Sequence, residues 1–206
     1  MNYRYPDTAI LIFAKAPVAG QVKTRLTPPL KPVQAVALHQ KLVARTLRMA
    51  TKTALAPVIL YCSPDQKHPF FIECEQTYAT ALETQQGDDL GTRMLHGLEN
   101  ALQQMRYVVL IGTDCPAMGQ DYIEEAIQRL RSGSDVVIGP ANDGGYVLIG
   151  TKQAHAELFT DIEWGKDTVF SITMERIMQA GLQLSLLASM QDIDRPEDLR
   201  HIKTLN

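Results

Sequence analysis

The stretch TAILIFA, from Thr8 to Ala14, is a continuous apolar run rather than an alternating one. A strand buried on both faces of a parallel sheet reads this way, so this strand belongs near a sheet centre. A loop containing Pro and Gly follows. Apolar residues then recur at helical spacing (Val36, Leu42, Val43, Leu47, Ala50), predicting a helix over Val33 to Thr51, and a second apolar run spans Pro57 to Tyr61. Together these pieces form one β-α-β unit. The pattern recurs as a weaker strand near Thr80 to Glu83, a helix from Leu90 to Gln104 and the strong strand YVVLIG, Tyr107 to Gly112. Beyond it the sequence predicts a helix over Tyr122 to Arg131, strands at Asp135 to Gly139 and Tyr146 to Ile149, a helix over Thr168 to Ala180, and a strand at Leu182 to Leu187. Asn142, Asp143, Gly144 and Gly145 have tight-turn composition, which makes part of the sheet antiparallel. The expected fold is α/β, a three-layer α/β/α sandwich on a mostly parallel mixed sheet.

A chain of 206 residues without internal repeat, low-complexity segment or long linker is expected to form one domain over residues 1–206. Its 45% hydrophobic and 21% charged residues are those of an ordinary globular protein and exclude fibrous and disordered classes. A net charge of -3 argues against a general nucleic-acid coat, so any basic site must be local. Cys62, Cys74 and Cys115 form no CxxC pair, which indicates neither a disulfide framework nor a zinc knuckle and suits a cytoplasmic setting. The first apolar run is too short for a signal peptide or a membrane span. His39, His68, His96, His155 and His201 are scattered without ligand spacing.

Five motifs can carry chemistry. KAPVAGQVKTRL, Lys15 to Leu26, places Lys15, Lys23 and Arg25 around Pro17 and Gly20, directly after the opening strand, where α/β proteins bind phosphates. It fits neither the Walker nor the GxGxxG spacing and can also be read as a solvated basic loop. In GTDCP, Asp114 leaves the strongest strand immediately before Cys115 and Pro116. A carboxylate there can hold Mg²⁺ or Mn²⁺ against substrate phosphates, or can simply serve the turn. In QQGDDLGTRM, Gly87 and Gly91 can admit a base or sugar and Arg93 a phosphate, while Asp88 or Asp89 can be an N-cap. In ANDGGYVLIG, Asp143, Gly144, Gly145 and Tyr146 can border an acceptor or form a hairpin turn. In QDIDRPE, Asp194 with Glu197 reads as a capping box for a final helix, which leaves Asp192 as a candidate second metal ligand. Trp164, the only tryptophan, can stack on a sugar or base or belong to the core.

Taken together, FAKAPVAGQVKTRL, GDDLGTRM, GTDCP, DGGYVLIG and DIDRPEDL resemble a bacterial family of glycosyltransferase-A-fold proteins long listed as a domain of unknown function. Relatives of that family include MobA-like nucleotidyltransferases and the guanylyltransferase of deazaflavin cofactor synthesis, and some members are described as glycosyltransferases linked to arsenosugar biosynthesis. The resemblance spans Ile10 to Leu199. It implies a nucleotide-diphospho-sugar transferase fold of GT-A type, with Lys15, Lys23 and Arg25 in the phosphate loop and Asp114 at the metal position. Many metal-dependent glycosyltransferases of this fold carry DxD where this chain has the single acid of TDC. The LxGGxGxRM loop of sugar nucleotidyltransferases is in turn replaced by KAPVAGQVKTRL. The implied activity is metal-dependent transfer from a nucleotide diphosphate sugar to a small-molecule acceptor. Nucleotidyl transfer from a nucleoside triphosphate and non-catalytic nucleotide binding stand as alternatives.

Overall fold

The computed structural model describes residues 2–205, the last five by backbone alone. Seven strands among them, β1 (Thr8–Lys15), β2 (Val58–Ser63), β3 (Ala81–Thr84), β4 (Tyr107–Ile111), β5 (Val136–Pro140), β6 (Tyr146–Thr151) and β7 (Leu184–Leu186), join in the order β3-β2-β1-β4-β6-β5-β7. Four of the pairings are parallel and only β4·β6 and β5·β6 are antiparallel, so the sheet is mixed and mostly parallel.

Helices α1 (Pro32–Thr51), α2 (Pro69–Tyr78), α3 (Leu90–Leu102), α4 (Gln120–Arg131) and α5 (Val169–Gln179) flank the sheet. The unbroken apolar run of β1 is explained by two cores. Ile10, Ile12 and Ala14 pack with Val43 and Leu47 of α1, Phe71 of α2 and Ile123 and Ile127 of α4. Ala9, Leu11 and Phe13 pack with Met94 and Leu98 of α3 and Ile177 of α5. Each fully buried Leu or Ile here contributes roughly 1.5–3 kcal/mol. The turn at Asn142 to Gly145 joins β5 to the antiparallel β6, as its composition predicts. Among the described residues no helix is long and apolar enough to cross a membrane.

Two elements depart from the expectation. Helix α2 has no counterpart in the sequence reading. It starts with Pro69 at a position that needs no N–H, His68 Nδ1 accepts from Phe70 N at 3.2 Å, and Phe71 and Cys74 are its buried face. At the other end of the chain, the final segment is a 3-10 helix, Pro196–Leu205, and Asp194 does not cap it. The buried Asp198 carboxylate turns back instead, accepting the N–H groups of Asp194 (3.1 Å) and Arg195 (2.8 Å) and the side-chain amide of Gln191 (3.0 Å). Asp194 is drawn away because its carboxylate pairs with Arg25.

Candidate active site

From β1 the chain winds outward through β2 and β3, then returns to place β4 on the other side of β1. The strand order therefore reverses between β1 and β4, and open α/β sheets bind ligands in the crevice outside the carboxyl ends at such a switch point. Lys15 ends β1 and Asp114 follows β4, so both stand at this crevice. It has two lobes, of about 330 and about 440 Å³, which share Lys15, Arg25, Leu90, Gly112, Asp114 and Asp194. The first lobe adds Phe13, Lys23, His39 and Gln85. The second adds Asp143, Tyr146, Trp164, Lys166 and Asp192.

The three loop cations are not equivalent. Lys23 adopts φ 51° and ψ 36°, a left-handed conformation uncommon outside glycine, at the entry to a 3-10 turn over Thr24–Leu26. Its side chain is only 4% exposed; Nζ lies 2.8 Å from Asp114 Oδ1 and also donates to the Ile193 carbonyl. Arg25 lies over the surface, paired with Asp194 at 2.6 Å. The hydrogen bond and charge of Asp194 raise the Arg25 pKa further. Lys15 is exposed and makes no ion pair or side-chain hydrogen bond among the described residues. Its carbonyl is held from below by His39 Nε2 at 2.8 Å. Burial pushes the His39 pKa down, so the neutral ring donates to that oxygen.

Four acidic residues line the second lobe: Asp114, Asp143, Asp192 and Asp194. Asp192 Oδ1 is buried with no hydrogen-bond partner. Burial first, then the charges of Asp143, Asp114 and Asp194, push its pKa up to about 6. An orphaned carboxylate amid surplus negative charge fits a divalent cation. No three His, Cys, Asp or Glu side chains among the described residues form a ready-made metal site. The residues present therefore fit an ion held by Asp114 and Asp192, with substrate phosphate and water supplying the remaining ligands, which is how Mg²⁺ is commonly bound. Asp143 is occupied at the turn, its Oδ1 accepting from Gly145 N at 2.9 Å. Of the histidines, only His39 borders either lobe among the described side chains, and the side chain of His201 lies outside them.

Several residues singled out from the sequence serve the loop that walls the second lobe. Gly91 sits against the Phe159 carbonyl and the Trp164 ring with no space for a Cβ. Gly144, at φ +89°, lies against the Asp167 backbone, and its carbonyl accepts from Phe170 N at 2.9 Å. Both glycines thus seat the segment 159–170 rather than a ligand, and they bring Trp164 into edge contact with Tyr146 at 6.2 Å. Gly87, Arg93, Pro17 and Gly20 border neither lobe. Arg93 Nε donates instead to the Gly87 carbonyl at 2.8 Å and steadies that loop. Asp89 is the N-cap of α3, accepting from Thr92 N at 2.8 Å. Cys115 is buried beside Met190 at the edge of the second lobe, and burial pushes its thiol pKa up, which disfavours the thiolate.

Gln85, His39 and Lys166 also line the crevice, and no local signal in the sequence assigns them there. Gln85 spends both amide hydrogens on the carbonyls of Ala14 (3.2 Å) and Tyr61 (2.8 Å), a pairing that exists only once β1 and β2 lie side by side. His39 looks like one more helix residue until the turn above it is folded.

A doubly wound α/β fold with a two-lobed crevice at the strand reversal, lined by basic and acidic side chains, is the architecture of nucleotide-diphospho-sugar transferases of GT-A type. The chain belongs to the bacterial family DUF2064, described as "Uncharacterized protein conserved in bacteria", whose profile matches residues 46–166. No curated protein matches the sequence. Among solved structures, a protein from Desulfovibrio desulfuricans G20 described as a candidate nucleotide-diphospho-sugar transferase is 28% identical, with a TM-score of 0.84 over 97% of this chain and 96% of that one. A nucleotidyl transferase from Methanothermobacter thermautotrophicus is 15% identical and shares the fold, with a TM-score of 0.64 over 95% of each chain. The Mycobacterium tuberculosis glucosyl-3-phosphoglycerate synthase, solved with Mn²⁺ and UDP, is 10% identical, with a TM-score of 0.54 over 97% of this chain and 76% of that one. The transferase class anticipated from the sequence is the class of these neighbours.

Proposed function

We propose that residues 1–206 act as one cytoplasmic transferase domain that takes a nucleotide diphosphate sugar as donor with a divalent cation, Mg²⁺ or Mn²⁺. The observation that carries this reading is the crevice itself. The nucleoside would occupy the lobe beside Phe13 and Gln85, the diphosphate the junction at Lys15, and the sugar the lobe lined by Trp164 and Tyr146. Lys15, with Lys23 and Arg25 behind it, would bind the departing diphosphate through charge-assisted hydrogen bonds. The cation, held by Asp114 and Asp192, would neutralise charge that grows on that leaving group. The relative at 28% identity, described as a nucleotide-diphospho-sugar transferase candidate, supports the same donor class.

The single acid after β4 favours a second reading, nucleotidyl transfer, in which the same groups stabilise a departing pyrophosphate. The test is a panel of nucleotide sugars and nucleoside triphosphates, with and without Mn²⁺, read first as thermal stabilisation and then as product. Ligands that bind the native state raise its melting temperature. Release of a nucleoside diphosphate supports the first reading and pyrophosphate the second. Binding without turnover across acceptors would leave a nucleotide-binding protein, and no Mn²⁺-dependent binding at all would refute the site.

A further inference from the structure

Lys23 already supplies the positive charge beside Asp114, on one of the two oxygens that a divalent cation could take. Its ammonium touches Asp114 Oδ1 at 2.8 Å, and the side chain is 4% exposed while that of Asp114 is 45% exposed. The acid can thus be reached from the crevice, whereas the side chain of its partner is almost wholly enclosed. The second bond of Lys23, to the Ile193 carbonyl, is neutral, and Ile193 N in turn donates to the Asp114 carbonyl at 2.8 Å, closing a strap around the pair. A metal ion on Asp114 would make a buried ammonium share its single counter-charge with a second cation, and a buried charge without full compensation is costly. A diphosphate arriving at the first lobe, which Lys23 also lines, would supply the missing negative charge.

We propose that Lys23 and the divalent cation compete for Asp114, and that substrate phosphate resolves the competition by taking over Lys23. This inference rests on the functional reading above. Metal and phosphate then bind as a coupled pair, each drawing away one member of an existing ion pair, and the coupling is reciprocal, as all linkage is. Lys15, exposed and without an ion-pair partner among the described residues, forms the first contact with the phosphate.

The test uses the full chain and two probes. Mn²⁺ alone is followed by its electron paramagnetic resonance signal, and pyrophosphate alone, in the presence of EDTA, by calorimetry. Lys23→Met should bind Mn²⁺ without nucleotide about 5- to 150-fold more tightly than the wild type, the usual range of coupling between sites. Asp114→Asn, in which Lys23 has already lost its charged partner, should bind metal-free pyrophosphate more tightly by a similar factor. Simple removal of a nearby charge is controlled by Lys15→Met for Mn²⁺ and by Asp143→Asn for pyrophosphate. Both controls should shift affinity much less. If Lys23→Met does not fold, Asp114→Asn with its control decides alone. Equal shifts in test and control, or unchanged affinity in both test variants while the wild type binds nucleotide with Mn²⁺, would overturn the exchange and leave the functional reading standing. A wild type that binds no nucleotide under any metal condition would overturn the functional reading as well.

Discussion

The two ends of the sheet use the same residue types to opposite effect. At the amino ends of the strands, Arg131 grips both oxygens of Asp7, at 2.6 and 2.8 Å, and lies over the rings of Tyr5 and Tyr107, 5.5 and 5.6 Å from their centres. Arg4 pairs with Glu124 at 2.6 Å, and Glu124 also accepts from the Tyr5 hydroxyl. Burial pushes the Asp7 pKa up, but the hydrogen bond and charge of Arg131 outweigh it and hold the carboxyl below its ordinary value. At the carboxyl ends, Lys15 has no partner among the described residues, Asp192 has a buried oxygen without one, and the Asp192 pKa is pushed the other way, to about 6. A matched network has nothing left to offer a ligand. A carboxylate buried without a partner, as at Asp192, is kept at a cost to stability, and such perturbed groups cluster at functional sites.

The two ends differ most at Asp114. Asp114→Asn should weaken Mn²⁺-dependent nucleotide binding about 100-fold or more, on the order of 3 kcal/mol. Asp7→Asn, at the matched end, should leave binding unchanged and lower only the melting temperature. Calorimetry with and without Mn²⁺ checks both, and equal binding losses would mean that the two ends do not differ in kind. Next in size is Lys15→Met, which removes the unpaired cation. A charge-assisted bond is worth about 1.5–3 kcal/mol, so nucleoside di- and triphosphates should lose roughly 10- to 100-fold in affinity while the bare nucleoside loses none. A loss shared equally by the nucleoside would remove Lys15 from the phosphate site.

Asp192 sharpens the contrast through pH. Its folded pKa, about 6, lies above the ordinary value of 3.8, so the native state binds more protons than the unfolded state between those limits. Stability associated with this group is then fully present below about pH 4 and lost as pH rises through 6, opposite to the behaviour of Asp7. Asp192→Asn should remove that decline, so that its melting temperature meets or exceeds the wild type's at pH 7, and it should bind Mn²⁺ with nucleotide more weakly. Thermal melts of both proteins between pH 4 and 8 are the check. A variant that tracks the wild type across the whole range would show that Asp192 ionises unhindered.

Local pattern carries the fold because buried strands and amphipathic helices have periods that a sequence displays. TAILIFA announces a strand covered on both faces, and the apolar spacing after Val33 announces α1. Helix α2 escaped because its buried face is Phe71 and Cys74 within only ten residues, too short to establish a period. The motifs that meet at the crevice were legible as well, since Lys15 and Asp114 each follow a strong strand. Their partners were not. Lys23 meets Asp114 across 91 positions, and Arg25 meets Asp194 across 169, so which cation is spent and which is free depends on tertiary contact alone. The glycines show the same limit from the other side. Gly91 and Gly144 read as ligand contacts until Trp164 and Asp167 are folded onto them.

The smallest effect separates Asp198 from Asp194, and here the structure reverses the assignment that the DxxE spacing suggests. Asp198 is buried and accepts two backbone N–H groups and the Gln191 amide, so it is the residue that ties the C-terminal 3-10 helix to the strap carrying Asp192 and Ile193. Asp198→Ala leaves those donors unsatisfied and should cost about 1–2 kcal/mol, the scale of a lost helix cap. Asp194→Ala breaks only the pair with Arg25, whose side chain is 55% exposed, and an exposed ion pair is worth at most about 1 kcal/mol. The two should also part in binding. Freed Arg25 should hold a diphosphate slightly better in Asp194→Ala, whereas Asp198→Ala should loosen the strap and weaken Mn²⁺-dependent binding together with stability. Urea denaturation and calorimetry on both variants test this. A larger stability loss for Asp194 than for Asp198 would restore Asp194 as the cap and place Asp198 among ordinary surface-facing acids of the final segment.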